Sequence, residues 1–334
     1  MKRRIFIRNS TQAGIGFSLL GIYSCKDEKK AVKEEDTVEK EALMSAAPFI
    51  KLSLAQWSIH NMINDDGVDP YTFAAKAKNW GFEGLEYVSQ LYDKELEPAN
   101  FSEEAMQSFV DKSNAEAEKH GLKNILIMID DQGDLATSDP EERKKAAENH
   151  YKWVDAAASM GCHSIRVNLE GSSDPIEWKA NSIDGLTQLS TYASTKNINI
   201  LVENHGGLSS NAAMLSEVMA QVNMSNCGTL PDFGNFCIRK KDPDDDDAGC
   251  EENYDSYKGV KELMVHAKAV SAKSHDFDAN GNETEIDYVR MLQIVKDAGY
   301  TGYVGVEYEG TELTEEEGII ATRDLLLKAS KEVT

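Results

Sequence analysis

An eight-fold β/α barrel, (β/α)8, is the fold class that this sequence predicts, and three observations carry the prediction. Strand-like and helix-like segments alternate eight times between Ile50 and the C-terminus, and repeated units of this length imply right-handed crossovers and a parallel sheet. The ~285 residues from position 49 onward match the size of one such barrel. Three acidic residues, Glu203, Asp232 and Glu307, stand at the ends of three separate strands, and barrel strands all point their C-termini at one mouth. The rival, an open doubly wound sheet, has no GxGxxG after any strand to support it.

The elements follow from periodicity and punctuation. Strand 1 is read over residues 50–57, where apolar and polar residues alternate. Helix 1 follows Asp69-Pro70, an N-cap and first-turn pair, and ends at Trp80 before Gly81. Strand 2 covers 82–88. Helix 2 begins after Ser102 with Glu103-Glu104, acids that suit a helix N-terminus, and stops at His120-Gly121. Strand 3, over 122–129, is almost wholly apolar, as a strand buried on both faces should be. Helix 3 spans 140–160 and ends at Gly161. Strand 4 (163–169), helix 4 (182–196), strand 5 (198–203) and helix 5 (209–222) continue the series. Strand 6 (227–232) precedes a long insert containing Asp242–Asp247. Helix 6 (254–265), strand 7 (267–273), helix 7 (285–298), strand 8 (302–307) and helix 8 (315–331) complete it.

The first 48 residues read as addressing and spacing rather than fold. Lys2, Arg3, Arg4 and Arg8 precede the mostly apolar run 13–23, which is too short for an ordinary membrane-spanning helix. Lys2-Arg3-Arg4-Ile5-Phe6-Ile7 resembles a twin-arginine export signal. Ile22-Tyr23-Ser24-Cys25 resembles a bacterial lipobox with Cys25 as the lipidated residue, although Tyr23 is bulky for that motif. Plain secretory cleavage and an uncleaved anchor are the alternatives. Residues 26–48 form a linker whose charged part cannot bury enough surface to offset ordering entropy. Its start, Lys26-Asp27-Glu28, also resembles a lipoprotein surface-export signal. The expected domains are therefore a signal over 1–25, a tether over 26–48 and the barrel over 49–334, in an exported, periplasmic or membrane-anchored protein of a Gram-negative bacterium.

Charge narrows the partners. The whole chain carries −23 and its first 25 residues carry +4, leaving about −27 after cleavage. Such a surface repels nucleic acid and anionic lipid, so membrane contact is expected only through the lipid anchor. A neutral polyol or sugar suits it better than a polyanion. Among the cysteines, Cys162 and Cys227 fall at strand starts and read as small core residues. Cys237 and Cys250 flank the insert after strand 6, and an exported protein permits a disulfide between them. No Cys/His cluster has zinc spacing. The acidic run at 244–247 lacks the glycine and terminal Glu of an EF-hand, and reads as a solvated loop.

Three carboxylates at one mouth repel one another unless a cation or shared protons hold them, which points to a divalent metal site. Taken singly, each acid is better read as a salt bridge or helix cap. Glu203 opens Glu203-Asn204-His205-Gly206-Gly207, with His205 on the same face. Earlier strand ends bring Gln56, His60, Glu86, Asp130, Arg166 and Asn168. Arg166 and Asn168 share a direction suited to substrate hydroxyls or a carboxylate, while a barrel-interior salt bridge is the equal alternative for Arg166. Trp57, Trp178 and Tyr308 have the rings to stack on a sugar, though core packing is their commoner use.

Glu203-Asn204-His205, Asp232-Phe233-Gly234-Asn235, Lys273 at the end of strand 7 and Gly305-Val306-Glu307-Tyr308 together resemble the xylose isomerase-like superfamily, in particular its sugar phosphate isomerase/epimerase group. The resemblance covers residues 50–331. It implies Glu203, Asp232 and Glu307 as ligands of Mn, Mg, Co or Zn. It also implies a strand-7 histidine, where this chain has Ser271; His275, of the same parity and beyond the strand, is the expected substitute, with water as the alternative. The implied chemistry is metal-assisted proton abstraction next to a sugar carbonyl through an enediolate. Glu203 and Glu307 are then the proton-moving pair, Lys273 stabilises the oxyanion or pairs with Asp276, and Glu86, Arg166, Asn168, His205 and Asn235 bind substrate. A sugar isomerase or epimerase leads. A lyase or hydratase on an oxidised sugar such as a 3-keto-glycoside, or a non-catalytic carbohydrate-binding lipoprotein, are the alternatives.

Overall fold

The computed structural model describes residues 48–242 and 249–334. The export signal, the proposed lipidation at Cys25, nearly all of the tether and Asp244–Asp247 lie outside the described residues. Eight strands form one parallel sheet: β1 (Lys51–Ala55), β2 (Gly84–Val88), β3 (Lys123–Ile129), β4 (Ser164–Val167), β5 (Asn199–Glu203), β6 (Cys227–Leu230), β7 (Val270–Ser274) and β8 (Tyr303–Tyr308). Each pairs with its neighbour in chain order, and β8 pairs with β1, as Lys51↔Tyr303 and Leu54↔Val306. The seam between β6 and β7 is narrower. It is held by the bridges Thr229↔Ala267 and Asp232↔Ser271. Three backbone bonds run along it, Lys268 N–H to Thr229 O, Ser271 N–H to Pro231 O and Phe233 N–H to Ser271 O, at 3.0–3.1 Å. That closes the barrel.

Among the described residues, eight helices of seven or more residues wrap the sheet: α1 (Phe73–Asn79), α2 (Glu103–His120), α3 (Pro140–Met160), α4 (Pro175–Ser194), α5 (Ala212–Val222), α6 (Ser256–Leu263), α7 (Tyr288–Asp297) and α8 (Glu315–Glu332). Their ends follow local chemistry. Ser102 accepts from Ala105 N–H and Asp139 from Glu141 and Glu142 N–H, satisfying first-turn donors that the helix itself cannot. Gly121 and Gly161 close α2 and α3 in the left-handed conformation, which costs glycine least. The strands carry nearly continuous buried apolar residues, such as Ile125 to Ile129 in β3, because helices cover them outside and side chains fill them inside.

The insert after β6 is a two-stranded antiparallel hairpin, Cys237–Lys240 with Cys250–Asn253. Cys237 and Cys250 are joined in a disulfide with Cα atoms 5.7 Å apart. Cys162 and Cys227 are free thiols. Among the described residues no helix is long and apolar enough to cross a membrane.

Candidate active site at the barrel mouth

Glu203, Lys273 and Glu307 lie at or near the C-terminal ends of β5, β7 and β8, and Asp232 follows β6 by two residues. All four side chains belong to buried residues. Burial alone favours the neutral carboxyl, so these acids persist only with partners. Glu203 is held by the Arg166 guanidinium at 2.9 Å on one oxygen and by the Asn235 amide at 3.2 Å on the other. Arg166 also grips Asp130 at 2.8 Å, and Asn168 donates to the same Asp130 oxygen at 2.7 Å. Lys273 bridges Glu307 and Glu309, each at 3.1 Å. Asp232 accepts the backbone N–H groups of Gly234 and Asn235 on one oxygen, both at 2.8 Å. Asn204 ties the two loops together, donating to the carbonyls of Asp232 and Asn235 and accepting from Asp232 N–H.

Two glycines make room for this charge. A Cβ at Gly234 would approach the Lys273 chain to 3.3 Å, and one at Gly305 would sit 2.5 Å from the Glu86 carboxyl. Glu86 is buried on β2 and accepts from Ser53 Oγ. Burial, opposed by that bond and reinforced by Glu307 and Glu203, pushes its carboxyl up to about 8. Burial likewise pushes Glu203 up to about 7, against the pull of Arg166, and raises Asp232 and Glu307 despite Lys273. Desolvation works against the Lys273 ammonium, but Glu307, Glu309 and Asp232 outweigh it and hold the ammonium firmly charged.

Glu86 gives a stability prediction with a definite sign. Its folded pKa lies above its unfolded value, so the folded state binds more protons between about pH 4.5 and 8, and stability falls as pH rises through that window. At ~1.4 kcal/mol per pKa unit the loss reaches at most about 5 kcal/mol. Glu86→Gln removes the ionisation and should flatten the decline. Thermal melts of both proteins from pH 5 to 9 check this; parallel curves would count against the assignment.

A cavity of about 560 Å³ opens at the mouth, lined by Trp57, Asp130, Arg166, Lys273, Glu307 and Glu309 among others. His205 and Asn235 also line it, and Asn168 lines the adjoining cavity of about 290 Å³ together with Asp130 and His205. Glu203 and Asp232 are not lining residues. Glu203 stands behind Arg166 and Asn235, which take up its two oxygens. Glu86 lies deeper, beneath Glu307 and Gly305. Trp178 is packed in the core, its indole N–H bonded to Leu169 O. His275 lies beyond β7, half-buried, with its backbone N–H on Glu283 rather than on any of the three acids. Asp276 is occupied by the backbone N–H groups of Thr311 and Glu312, so Lys273 takes Glu309 instead. Glu309 is the residue that sequence reasoning left out of the site; its position two residues after Glu307 on the same face was the available signal.

Among the described residues, no group of three or more His, Cys, Asp and Glu side chains is arranged to hold a metal ion. The donor chemistry nevertheless fits a cation. One oxygen each of Glu203, Asp232 and Glu307 is buried with no well-formed hydrogen bond; that of Glu203 stands 2.9 Å from the Arg166 guanidinium, and the Ser271 hydroxyl lies against Asp232. Five acids, Asp130, Glu203, Asp232, Glu307 and Glu309, face only two cations, Arg166 and Lys273. Unsatisfied oxygens and surplus negative charge are what a hard divalent ion relieves.

Solved structures with the same fold include D-allulose 3-epimerase from Methylomonas sp., 15% identical, covering 85% of this chain and 99% of that one at a TM-score of 0.63. The IolI protein, crystallised with a zinc atom, is 16% identical, with coverage of 85% and 99% and a TM-score of 0.62. 3-Keto-D-glucoside 4-epimerase (YcjR) from E. coli is 13% identical, with coverage of 83% and 98% and a TM-score of 0.59. At these identities the likeness establishes the fold. No curated protein matches the chain in sequence. The family model described as xylose isomerase-like TIM barrel matches residues 74–329, so the closed barrel with its acidic mouth belongs to that family.

Proposed function

We propose that the protein is a sugar isomerase or epimerase that moves a proton on a carbon next to a carbonyl. The observation that carries this reading is the pairing of Glu307 with Lys273 on the wall of a sugar-sized cavity. The epimerase names of two of the structures described above support it. Glu307 faces the cavity with one free carboxylate oxygen and is the candidate base. Lys273 stands beside it with a fixed positive charge, placed to stabilise the oxyanion that forms as the proton leaves. Glu203 is the candidate partner on another wall, with β6 and β7 between it and Glu307; it takes part once a ligand draws Arg166 or Asn235 away. Arg166, Asn168, Asn235 and His205 offer hydrogen bonds to sugar hydroxyls, and Trp57 offers a ring face.

Asp232, Glu307 and Ser271, with Glu203, are the residues that would hold a divalent metal. Such an ion, when bound, polarises the substrate carbonyl. His275 joins this set only if its loop moves.

The same wall suits a second reaction, elimination from a 3-keto-glycoside, in which the enolate expels the group β to the carbonyl. The keto-glucoside named for the E. coli structure supports testing it. Free sugars and 3-keto-glycosides are incubated with the protein in deuterated buffer and followed by NMR. Epimerisation incorporates deuterium and keeps the glycosidic group; elimination releases it. No exchange with any of them would leave a carbohydrate-binding protein and overturn the enzyme reading.

The reading also places the barrel outside the cytoplasm on a lipid anchor at Cys25. Cys25→Ser should release a soluble protein that keeps its fold and activity, because several acyl chains hold a lipoprotein and no core residue is lost. Fractionation of the exported variant checks this; retention in the membrane would point to an uncleaved signal.

A further inference from the structure

We propose that the substrate is a two-ring glycoside rather than a free monosaccharide, and that a groove walled by the disulfide-closed hairpin is a second subsite for the ring attached to the reacting one. This subsite rests on the sugar reading of the mouth given above, and it adds the class of sugar that the site takes.

A groove of about 720 Å³ lies between the loop after β4, the loop after β5 and the hairpin. His205, Gly206 and Lys240 line both this groove and the mouth cavity of about 560 Å³, so the two spaces meet beside the loop after β5. Leu208, Met214 and Ile238, all half-buried, give the groove an apolar lining. The exposed Glu170, Ser173 and Glu252 add hydrogen-bonding oxygens. That mixture suits a second sugar ring, whose C–H faces are apolar and whose edges carry hydroxyls. A single ring held at Glu307 and Lys273 leaves the groove unused.

Each wall is fixed by bonds of its own. After β4, Gly171 bridges Ala136, with Ala136 N–H donating to Glu170 O at 2.8 Å and Ser172 N–H to Ala136 O at 3.0 Å. A Cβ at Gly171 would come within 2.1 Å of the Ala136 backbone, so the loop is drawn as close as glycine permits. After β5, Ser209 Oγ accepts from His205 N–H at 3.0 Å, while Ser210 Oγ accepts from Gly206 N–H at 2.9 Å and donates to Asn235 O at 2.7 Å. That last bond ties the loop to the root of the hairpin. The hairpin is closed by Cys237–Cys250, and Arg239 reaches Glu251 and Glu252 on its second strand at 2.9 and 3.0 Å. Walls already in place cost little to occupy, and contacts remote from the reacting carbon can be used to raise turnover.

The test gives the full chain cellobiose, maltose and lactose, each as such and oxidised to the 3-ketone, beside glucose and methyl 3-keto-glucoside. Deuterium exchange reads kcat/KM, and saturation-transfer NMR reads which ring touches the protein. The best two-ring substrate should exceed its one-ring counterpart by about tenfold or more in kcat/KM, with saturation reaching both rings. Ile238→Trp, which fills the groove from the hairpin, should cut that preference by about tenfold or more and remove saturation from the second ring. Ser173→Trp fills it from the loop after β4 and should do the same, so the outcome does not hang on one variant's folding. Equal kcat/KM for one and two rings in the wild type, saturation confined to one ring, or a preference that survives both tryptophans overturns the subsite and leaves the sugar reading standing. Exchange absent from every sugar overturns the isomerase reading; the saturation of the second ring, and its loss in the variants, then still judges the groove. No saturation of any sugar overturns both.

Discussion

Glu307→Gln should lower the rate of deuterium exchange into a sugar substrate by roughly 10²-fold or more, the loss expected when a positioned acid/base group is removed. The substitution keeps the side chain's shape and its place at the end of β8, so substrate binding should change far less than turnover. Its companion, Glu203→Gln, should fall by a similar factor if both acids move protons. A large loss at Glu307 with a small one at Glu203 would assign the chemistry to the carboxylate that faces the cavity, leaving the one behind Arg166 and Asn235 as a positioning residue. Near-native exchange in both variants would remove the central assignment. Single-turnover measurement separates this from slow product release.

Lys273→Met should destabilise the fold by about 3–5 kcal/mol at neutral pH, as for other buried ion pairs deprived of one partner. The side chain is almost fully buried and bridges Glu307 and Glu309. Removing its charge leaves the buried Glu307 and the half-buried Glu309 carboxylates without their counter-ion. Both can escape by protonation, so the loss should shrink as pH falls toward 5. Glu309→Gln in the Lys273→Met background should recover part of the stability, because one of the two stranded charges is then gone. Urea unfolding at pH 5 and pH 8 of the single and double variants checks the sign and the coupling. A Lys273→Met protein as stable as the wild type at pH 8 would mean that the ammonium only balances its own desolvation.

The barrel was legible because its punctuation is local. Asp69-Pro70 and Ser102 with Glu103-Glu104 are signals read within a single turn, and the structure starts helical segments at both points. Asp174-Pro175 is the same kind of signal, and α4 begins there, well before the residue 182 at which the apolar pattern starts the helix. Strands came out shorter than their apolar runs. β4 is Ser164–Val167 rather than 163–169, since ladder bonds end before the hydrophobic residues do. The strand-7 reading, 267–273, began too early for the same reason; β7 is Val270–Ser274, and Ala267 touches its neighbour only through an isolated bridge. The acidic insert formed a hairpin across Cys237 and Cys250, a pairing between distant segments that alternation in a charged stretch does not announce.

The site divides along the same line. Periodicity says which way a residue points, and it placed Glu203, Asp232, Lys273 and Glu307 at one mouth. It does not say which opposite charge each will find. Arg166 was open between substrate ligand and interior salt bridge, and the structure gives it Asp130 and Glu203. The sequence leaves Lys273 between stabilising an oxyanion and pairing with Asp276, whereas strand register sets it beside Glu307 and within reach of Glu309. Contacts between strands depend on shear and closure, which no single segment encodes.

The narrow seam has a mechanical consequence. Seven of the eight strand junctions are hydrogen-bonded ladders, one of them with a register shift at Leu85/Glu86, and the eighth is stitched by two bridges, the outermost being Asp232↔Ser271. The residues proposed to grip a cation are therefore also the last stitch of the wall. Breathing of the barrel should begin there, and anything that binds across Asp232 and Ser271 should act as a clasp on it. Amide exchange at Ser271 and Phe233, whose N–H groups span the seam, then becomes a gauge of occupancy that needs no substrate, slowing when the mouth is filled and quickening when it is emptied.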